Sequence, residues 1–346
     1  MRAEVYRCSD VRAKNSHSRH PGIGGIVCRP YCEGAACSRG EELDRLLNIG
    51  VCSYRRPDQL RRLLQSFAGM RVPSSLQLLV TVIDNDPAGS AQPVVAEMKA
   101  SLPFSLGYCH EMRRGIPCAR NRAIAEALIA EADYLVFVDD DEWVEVDWLE
   151  QLYNYALLKD GAVICGRVKA EVPEGTRAVM AEFFERKVYP TGARRAYCAT
   201  NNVLIPIAVV RDLSLRFDES RPFAGGEDTL FFTEVSARGV EILYCAEAVV
   251  HEVIPAERIS VRWQSRRKFA AGTTQAVQKR ACGRGRMGII QSGVAQLLGA
   301  LISAPLYFAT GRTDSGYRSW LKACRSAGLI GGAIGVRSDF YRQIAE

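Results

Sequence analysis

The stretch "DYLVFVDDDEWVEVDWLEQL" (133–152) decides how the chain is read. An uninterrupted apolar run, Tyr134 to Val138, passes without a gap into Asp139, Asp140, Asp141 and Glu142. Helical spacing begins near Asp147. An apolar run of this length followed by a helix reads as a buried strand and the helix that crosses back over it. If the strand alternation continues through the acids, Asp139 and Asp141 share one face and Asp140 takes the other. Four consecutive carboxylates repel one another, so the pattern calls for a cation or a positive ligand. Oxygen-rich sites suit Mg²⁺ or Mn²⁺. Acids at a helix start would be the alternative, but here they precede the helix and abut the strand.

The same alternation extends in both directions. "LLNIGVCSY" (46–54) reads as a strand, and "PDQLRRLLQSFAGM" (57–70) as a helix with Pro57 at its start and apolar residues at 60, 63, 64 and 67. "LQLLVTVIDND" (76–86) is a strand whose apolar run ends at Asp84, and "FSLGYCHE" (104–111) a third. "PCARNRAIAEALIAEA" (117–132) and "VDWLEQLYNYALL" (146–158) read as helices, and "AVICGRV" (162–168) as a strand. Apolar strands alternating with helices predict an α/β fold with a parallel sheet covered on both faces. Segment 195–255 is mixed, with a strand in "YCATNNVLIP", a helix in "GEDTLFFTEVSARG" and a strand closing at His251.

Such sheets bind ligands at the carboxyl ends of their strands. Asp84, Asp139 and Tyr54 all fall there. Glu227 and Asp228 follow Gly225 and Gly226, which permit close approach of a substrate, and Asp228 at a helix start is placed to serve as a general base. His251 is one of only four histidines and is a candidate ligand near a metal and phosphate.

Charge is unevenly distributed. Residues 256–346 contain 15 Lys and Arg against 4 Asp and Glu, a net +11, which leaves −5 for residues 1–255 of the total +6. An acidic body fits a metal-using site, and a basic tail fits an anionic surface. The body lacks the basic, aromatic-interleaved face of a nucleic-acid binder, so no nucleic-acid partner is expected. Of the 12 cysteines, Cys52, Cys109, Cys118, Cys165, Cys198 and Cys245 sit within apolar or helical patterns as small hydrophobes. The first twenty residues have no apolar core of a secretory signal, which points to a reducing cytoplasm. Residues 1–45 lack periodicity and read as a disordered extension. Their Cys8, His17, His20, Cys28, Cys32 and Cys37 match no common zinc spacing.

The ordered series "VCSYRRPDQL", "VIDND", "RRGIPCARNRA", "YLVFVDDDEW", "GGEDTLFF" and "VVHEV" resembles the family 2 glycosyltransferases of GT-A fold. Within that family it is most similar to enzymes of bacterial exopolysaccharide assembly, of succinoglycan type. The resemblance covers about residues 46–272. It implies a single Rossmann-like, nucleotide-binding mixed sheet flanked by helices, a nucleotide-sugar donor, a divalent metal (Mn²⁺ or Mg²⁺) and inversion at the anomeric carbon. It also implies roles. Tyr54 would flank the nucleotide base and Asp84 would accept a hydrogen bond from it, with uracil expected. Arg120 would line the donor site. Asp139 and Asp140 would reach the ribose and the metal shell, and Asp141 would bind the metal. Asp228 would be the catalytic base beside Glu227, and His251 would sit near metal and diphosphate. The family often has Asn after the Tyr of its first motif, where this chain has Arg55 and then Arg56.

Two other readings compete. A sugar-nucleotide pyrophosphorylase would open with a Gly-rich phosphate loop, and "CSYRRPDQL" has no glycine. A non-catalytic scaffold would not need both the acidic run and Asp228. After residue 272 a basic helical tail is expected. Within it, residues 287–311 form 25 residues without a charge, flanked by Arg286 and Arg312. That run is long enough to span a bilayer, but its two basic flanks favour an interfacial or re-entrant helix on the cytoplasmic face of the inner membrane. A lipid-linked or oligosaccharide acceptor is expected there.

Overall fold

The structure, a computed structural model, describes residues 45–220, 222–336, 338 and 340. The expectations for residues 1–44, an extension without order and the Cys/His spacing, lie outside the described residues. The elements are, in order, β1 (Arg45–Ser53), α1 (Pro57–Ala68), β2 (Leu76–Asp84), α2 (Gln92–Met98), β3 (Ser105–His110), α3 (Ile116–Ile129), β4 (Tyr134–Asp139) and β5 (Glu142–Val144). There follow α4 (Trp148–Leu158), β6 (Val163–Glu171), α5 (Ala178–Ala181), β7 (Asn202–Pro206), α6 (Ile207–Asp212), α7 (Glu227–Ala237) and β8 (Ile242–Val253). Four helices close the described chain: α8 (Ala256–Ile259), α9 (Val261–Ala281), α10 (Arg286–Ala309) and α11 (Thr313–Ala333).

The strands form one eight-stranded sheet in the order β3-β2-β1-β4-β7-β6-β8-β5. The first four of these are parallel neighbours, as apolar strands joined by helices require. The sheet then departs from the all-parallel pattern: β7 runs antiparallel to both β4 and β6, and β5 antiparallel to β8. In β4 the alternation divides cleanly. Val136 and Val138 join a core under α1, α2 and α4, whereas Leu135 and Phe137 join a core under α3, α6 and α7. Both faces are thus covered.

One expectation about the acidic run is corrected. The run does not continue the strand. Asp140 and Asp141 form a turn between β4 and β5, so alternation ends at Asp139. The turn frees Asp140 and Asp141 from two-sided pleating. The tail boundary expected at residue 272 falls inside α9.

Asn202 locks the join between the parallel and reversed parts of the sheet. The β6–β8 register shifts between Gly166 and Arg167. Into that gap Asn202 sends Nδ2, which donates to the carbonyls of Arg167 and Ala248, each at 2.9 Å, while its Oδ1 accepts from the indole of buried Trp148 at 2.9 Å. A Cβ on Gly166 would stand 2.3 Å from Asn202 Nδ2, so glycine is needed there for the fit. Asn202→Ala leaves an indole N–H and two carbonyls without this partner. It is expected to cost roughly 2–4 kcal/mol, measured as a lower midpoint in urea unfolding.

Candidate active site

The carboxyl ends of β1 and β4, the start of α7, the end of β8 and one side of α9 enclose a cavity of about 850 Å³. Tyr54, Arg120, Asp139, Asp140, Asp141, Glu227 and Asp228 all line it. Its lining carries ten Arg and Lys against seven Asp and Glu, so after internal pairing it still favours an anion.

Guanidinium groups make two of the four consecutive carboxylates, Asp140 and Asp141, tolerable. Arg56, three residues past β1, donates from Nη1 to Asp140 Oδ1 and to Asp141 Oδ2, both at 2.9 Å. Ser53 Oγ donates to Asp140 Oδ2 at 2.9 Å. Arg258 spans Asp141 Oδ2 at 3.0 Å and Glu252 Oε1 at 3.4 Å, and Arg186 donates to Glu252 Oε2 at 2.9 Å. Glu142 is fully buried and points back under the turn, accepting from the Asp139 amide at 2.9 Å and from Asn201 Nδ2 at 3.0 Å. Burial, then Asp139 and Glu252, push its carboxyl well above the usual range.

Asp139 is different. Among the described residues its carboxylate meets no side-chain cation closer than Arg120, at 3.9 Å, and it stays 42% exposed because it faces the open cavity. Desolvation by the surrounding protein first, then Asp141, Asp140 and Glu252, push it up to about 7, against a lowering by Arg120.

Arg120 ties the acidic run to α7. It pairs with Glu227, and Asp139 and Asp228 both act on its charge. Burial raises the Glu227 carboxyl and Arg120 opposes that rise. Asp228 Oδ1 accepts from the Thr229 amide at 2.6 Å, which fixes the carboxylate at the helix start. Gly226, at φ +81°, makes this start possible: a Cβ there would lie 2.3 Å from Thr274 Cγ2 on α9.

Two expected residues are not brought to the lining. Asp84 is buried behind the cavity, where it accepts from the amides of Ala91 (2.8 Å) and Asp86 (3.0 Å) and from the Tyr108 hydroxyl (3.1 Å). Its neighbour Asn85 lines the cavity instead, and holds the loop into α3 through Gly115 N at 2.8 Å. His251 faces away. It stacks on Trp143 at 3.8 Å between centroids, with Nδ1 2.9 Å from Glu171 and Nε2 3.0 Å from Glu145. Strand alternation gives the cavity to Glu252. Reading period two from His251 would have found Glu252. Arg56, Arg258 and Arg186 carried no comparable signal beyond their charge. Among the described residues no group of three or more His, Cys, Asp and Glu is disposed as a metal cluster.

With this geometry in place, comparison with known proteins is decisive. The family model "Glycosyl transferase family 2" matches residues 48–212. Succinoglycan biosynthesis protein ExoM of Rhizobium meliloti (strain 1021) is 34% identical over 300 residues, covering 84% of this chain and 94% of that protein. The chain belongs to glycosyl transferase family 2. It is a glycosyltransferase with the mixed, helix-flanked sheet of the GT-A fold. The putative glycosyltransferase EpsH of Bacillus subtilis (strain 168) is 27% identical over 34% of this chain and 33% of its own length. In fold, the family 2 chain is like the mannosyltransferase PcManGT from Pyrobaculum calidifontis, solved in complex with GDP-Man and Mn²⁺. The TM-score is 0.57 at 16% identity, over 83% of this chain and 86% of that one.

The raised Asp139 carboxyl sets a pH dependence. Its folded value, about 7, exceeds the ordinary 3.8. Its contribution to stability is therefore full below about pH 4 and is lost as pH rises through about 7. In metal-free buffer, Asp139→Asn should lose less stability than the parent between pH 4 and 8, as measured by urea unfolding across that range, while Asp140, Glu142 and Glu227, whose carboxyls are also raised, keep part of the decline.

Proposed function

We propose that this glycosyltransferase is an inverting enzyme of bacterial exopolysaccharide synthesis. It moves a sugar from a nucleotide-sugar, a UDP-sugar first among them, to a hydroxyl of a lipid-linked or saccharide acceptor. One observation carries the reading: Arg120 lies within electrostatic reach of Asp139 on one side and of Glu227 and Asp228 on the other, in a single cavity. A charge-handling end and a basic carboxylate thus flank one space large enough for a nucleotide-sugar. The name of the Rhizobium relative supports the exopolysaccharide assignment.

The donor set fits a divalent cation. Asp139 offers a cavity-facing carboxylate with no close cation of its own, and Asp141 lies beside it. Hard oxygen donors of this kind suit Mn²⁺ or Mg²⁺. The Mn²⁺ held by the mannosyltransferase of the same fold accords with this. Asp139 and Asp141 would hold the ion, and His251, on the far side of β8, would not. When bound, the ion offsets charge that builds on the leaving diphosphate. Tyr54, beside Arg114 at 3.1 Å, flanks the base, and Asp84 shapes that end from behind through Asp86 and Ala91. Asp140, held by Ser53 and Arg56, faces the ribose.

Asp228 takes the acceptor hydroxyl proton at Oδ2, the oxygen not engaged by Thr229. The acceptor oxygen bonds to the anomeric carbon while the bond to the diphosphate oxygen breaks, and the electron pair leaves with the nucleotide. Attack from the face opposite the leaving group inverts the centre. The exposed apolar side of α10, with Leu298, Leu301, Ile302 and Leu306, lies on the cytoplasmic leaflet in this reading. The helix is long and apolar enough to cross a membrane by length and composition.

Asp228→Asn should lower kcat by about 10³ in a nucleotide-release assay while UDP affinity stays unchanged. Turnover close to the parent's would remove Asp228 from the base role.

A further inference from the structure

The close crossing of α9 and α11 concentrates positive charge on one wall of the cavity. A Cβ on Gly272 would stand 2.1 Å from the Arg325 carbonyl oxygen, and one on Gly328 would stand 2.0 Å from that of Phe269. The two backbones therefore touch, and Arg325 is carried alongside Lys268 and Arg267. All three line the cavity. Four arginines of the same lining, Arg56, Arg120, Arg186 and Arg258, each pair with a carboxylate. Among the described residues Lys268 and Arg325 have no such ion pair, and Lys268 rests 5.0 Å from the centroid of Phe183. Burial, then Arg325 and Arg267, push the Lys268 ammonium below the usual lysine range. Like charges held side by side without an ion pair, as Lys268 and Arg325 are, favour a bound anion.

We infer that Lys268 and Arg325, with Arg267, form a second anion subsite that takes the phosphate or diphosphate of the acceptor. The inference rests on the proposed reading that donor and acceptor share this cavity, with the donor diphosphate at the acidic run. The wall continues into α10, which packs on α11 and presents an exposed apolar face. A lipid chain leaving the subsite has that face to follow, so a lipid-linked diphosphate matches both charge and surface.

The full chain is titrated by calorimetry with farnesyl diphosphate and, in parallel, with inorganic pyrophosphate, each with and without saturating UDP. The parent is compared with Lys268→Gln/Arg325→Gln and with Arg262→Gln, which alters an exposed arginine outside the cavity. The subsite predicts binding of farnesyl diphosphate to the UDP-loaded parent and to Arg262→Gln. In the double variant that binding weakens about tenfold or more, with UDP affinity retained as proof of folding. Tighter farnesyl diphosphate than pyrophosphate assigns the site to a lipid-linked group, and equal binding assigns it to free diphosphate. Binding that UDP displaces, or that survives the double substitution, overturns the subsite. If UDP fails to bind the parent while farnesyl diphosphate binds through Lys268 and Arg325, the donor reading fails and the subsite stands.

Discussion

The bridge from Arg56 to Asp140 and Asp141, extended by Arg258 and Arg120, is the constraint on which the site depends. A strand that ends in three aspartates and a glutamate brings more negative charge into a desolvated place than the strand itself can tolerate. Guanidiniums from three other elements answer it: one follows β1, one sits on α3 and one on α8. Removing one partner from such a network typically costs 3–5 kcal/mol, because the charge left behind stays buried. Stability and function are therefore coupled here. The groups that keep the turn folded also aim its carboxylates at the cavity.

The network also explains why Asp139 stands apart. Its two successors are held by hydrogen-bonded arginines, whereas its own nearest guanidinium is committed to Glu227. The carboxylate left over faces the open space. In the family 2 chemistry proposed here, that is where a cation and a diphosphate are wanted. Across the cavity the imbalance is reversed, with Lys268 and Arg325 crowded by helix packing rather than compensated. The cavity thus has one end hungry for a cation and another hungry for an anion.

Much of this was legible in sequence. The apolar runs of β1, β2 and β4 are period-free because both faces are buried, and the two cores confirm why. Gly225 and Gly226 before Glu227 and Asp228 read as room for a substrate, whereas the group that packs against Gly226 is Thr274 of α9. What could not be read were partners far apart in the chain. Arg56 lies 84 residues from Asp140, and Arg258 lies 117 from Asp141. An arginine's charge carries no address. The resemblance implies a mixed sheet, but which strand is reversed could not be read, since the apolar run Val203 to Ile205 of β7 pairs equally well in either direction. Strand alternation misled at Asp140 because the strand had already ended. It would have helped at His251, where it separates the ring on the outer face from Glu252 within.

The most direct test of the central claim is a calorimetric titration of the purified protein with UDP, in Mn²⁺ and then in EDTA, repeated with Asp141→Ala. The account predicts UDP binding that requires the metal and is lost in the variant. UDP binding indifferent to both the metal and the substitution would contradict it.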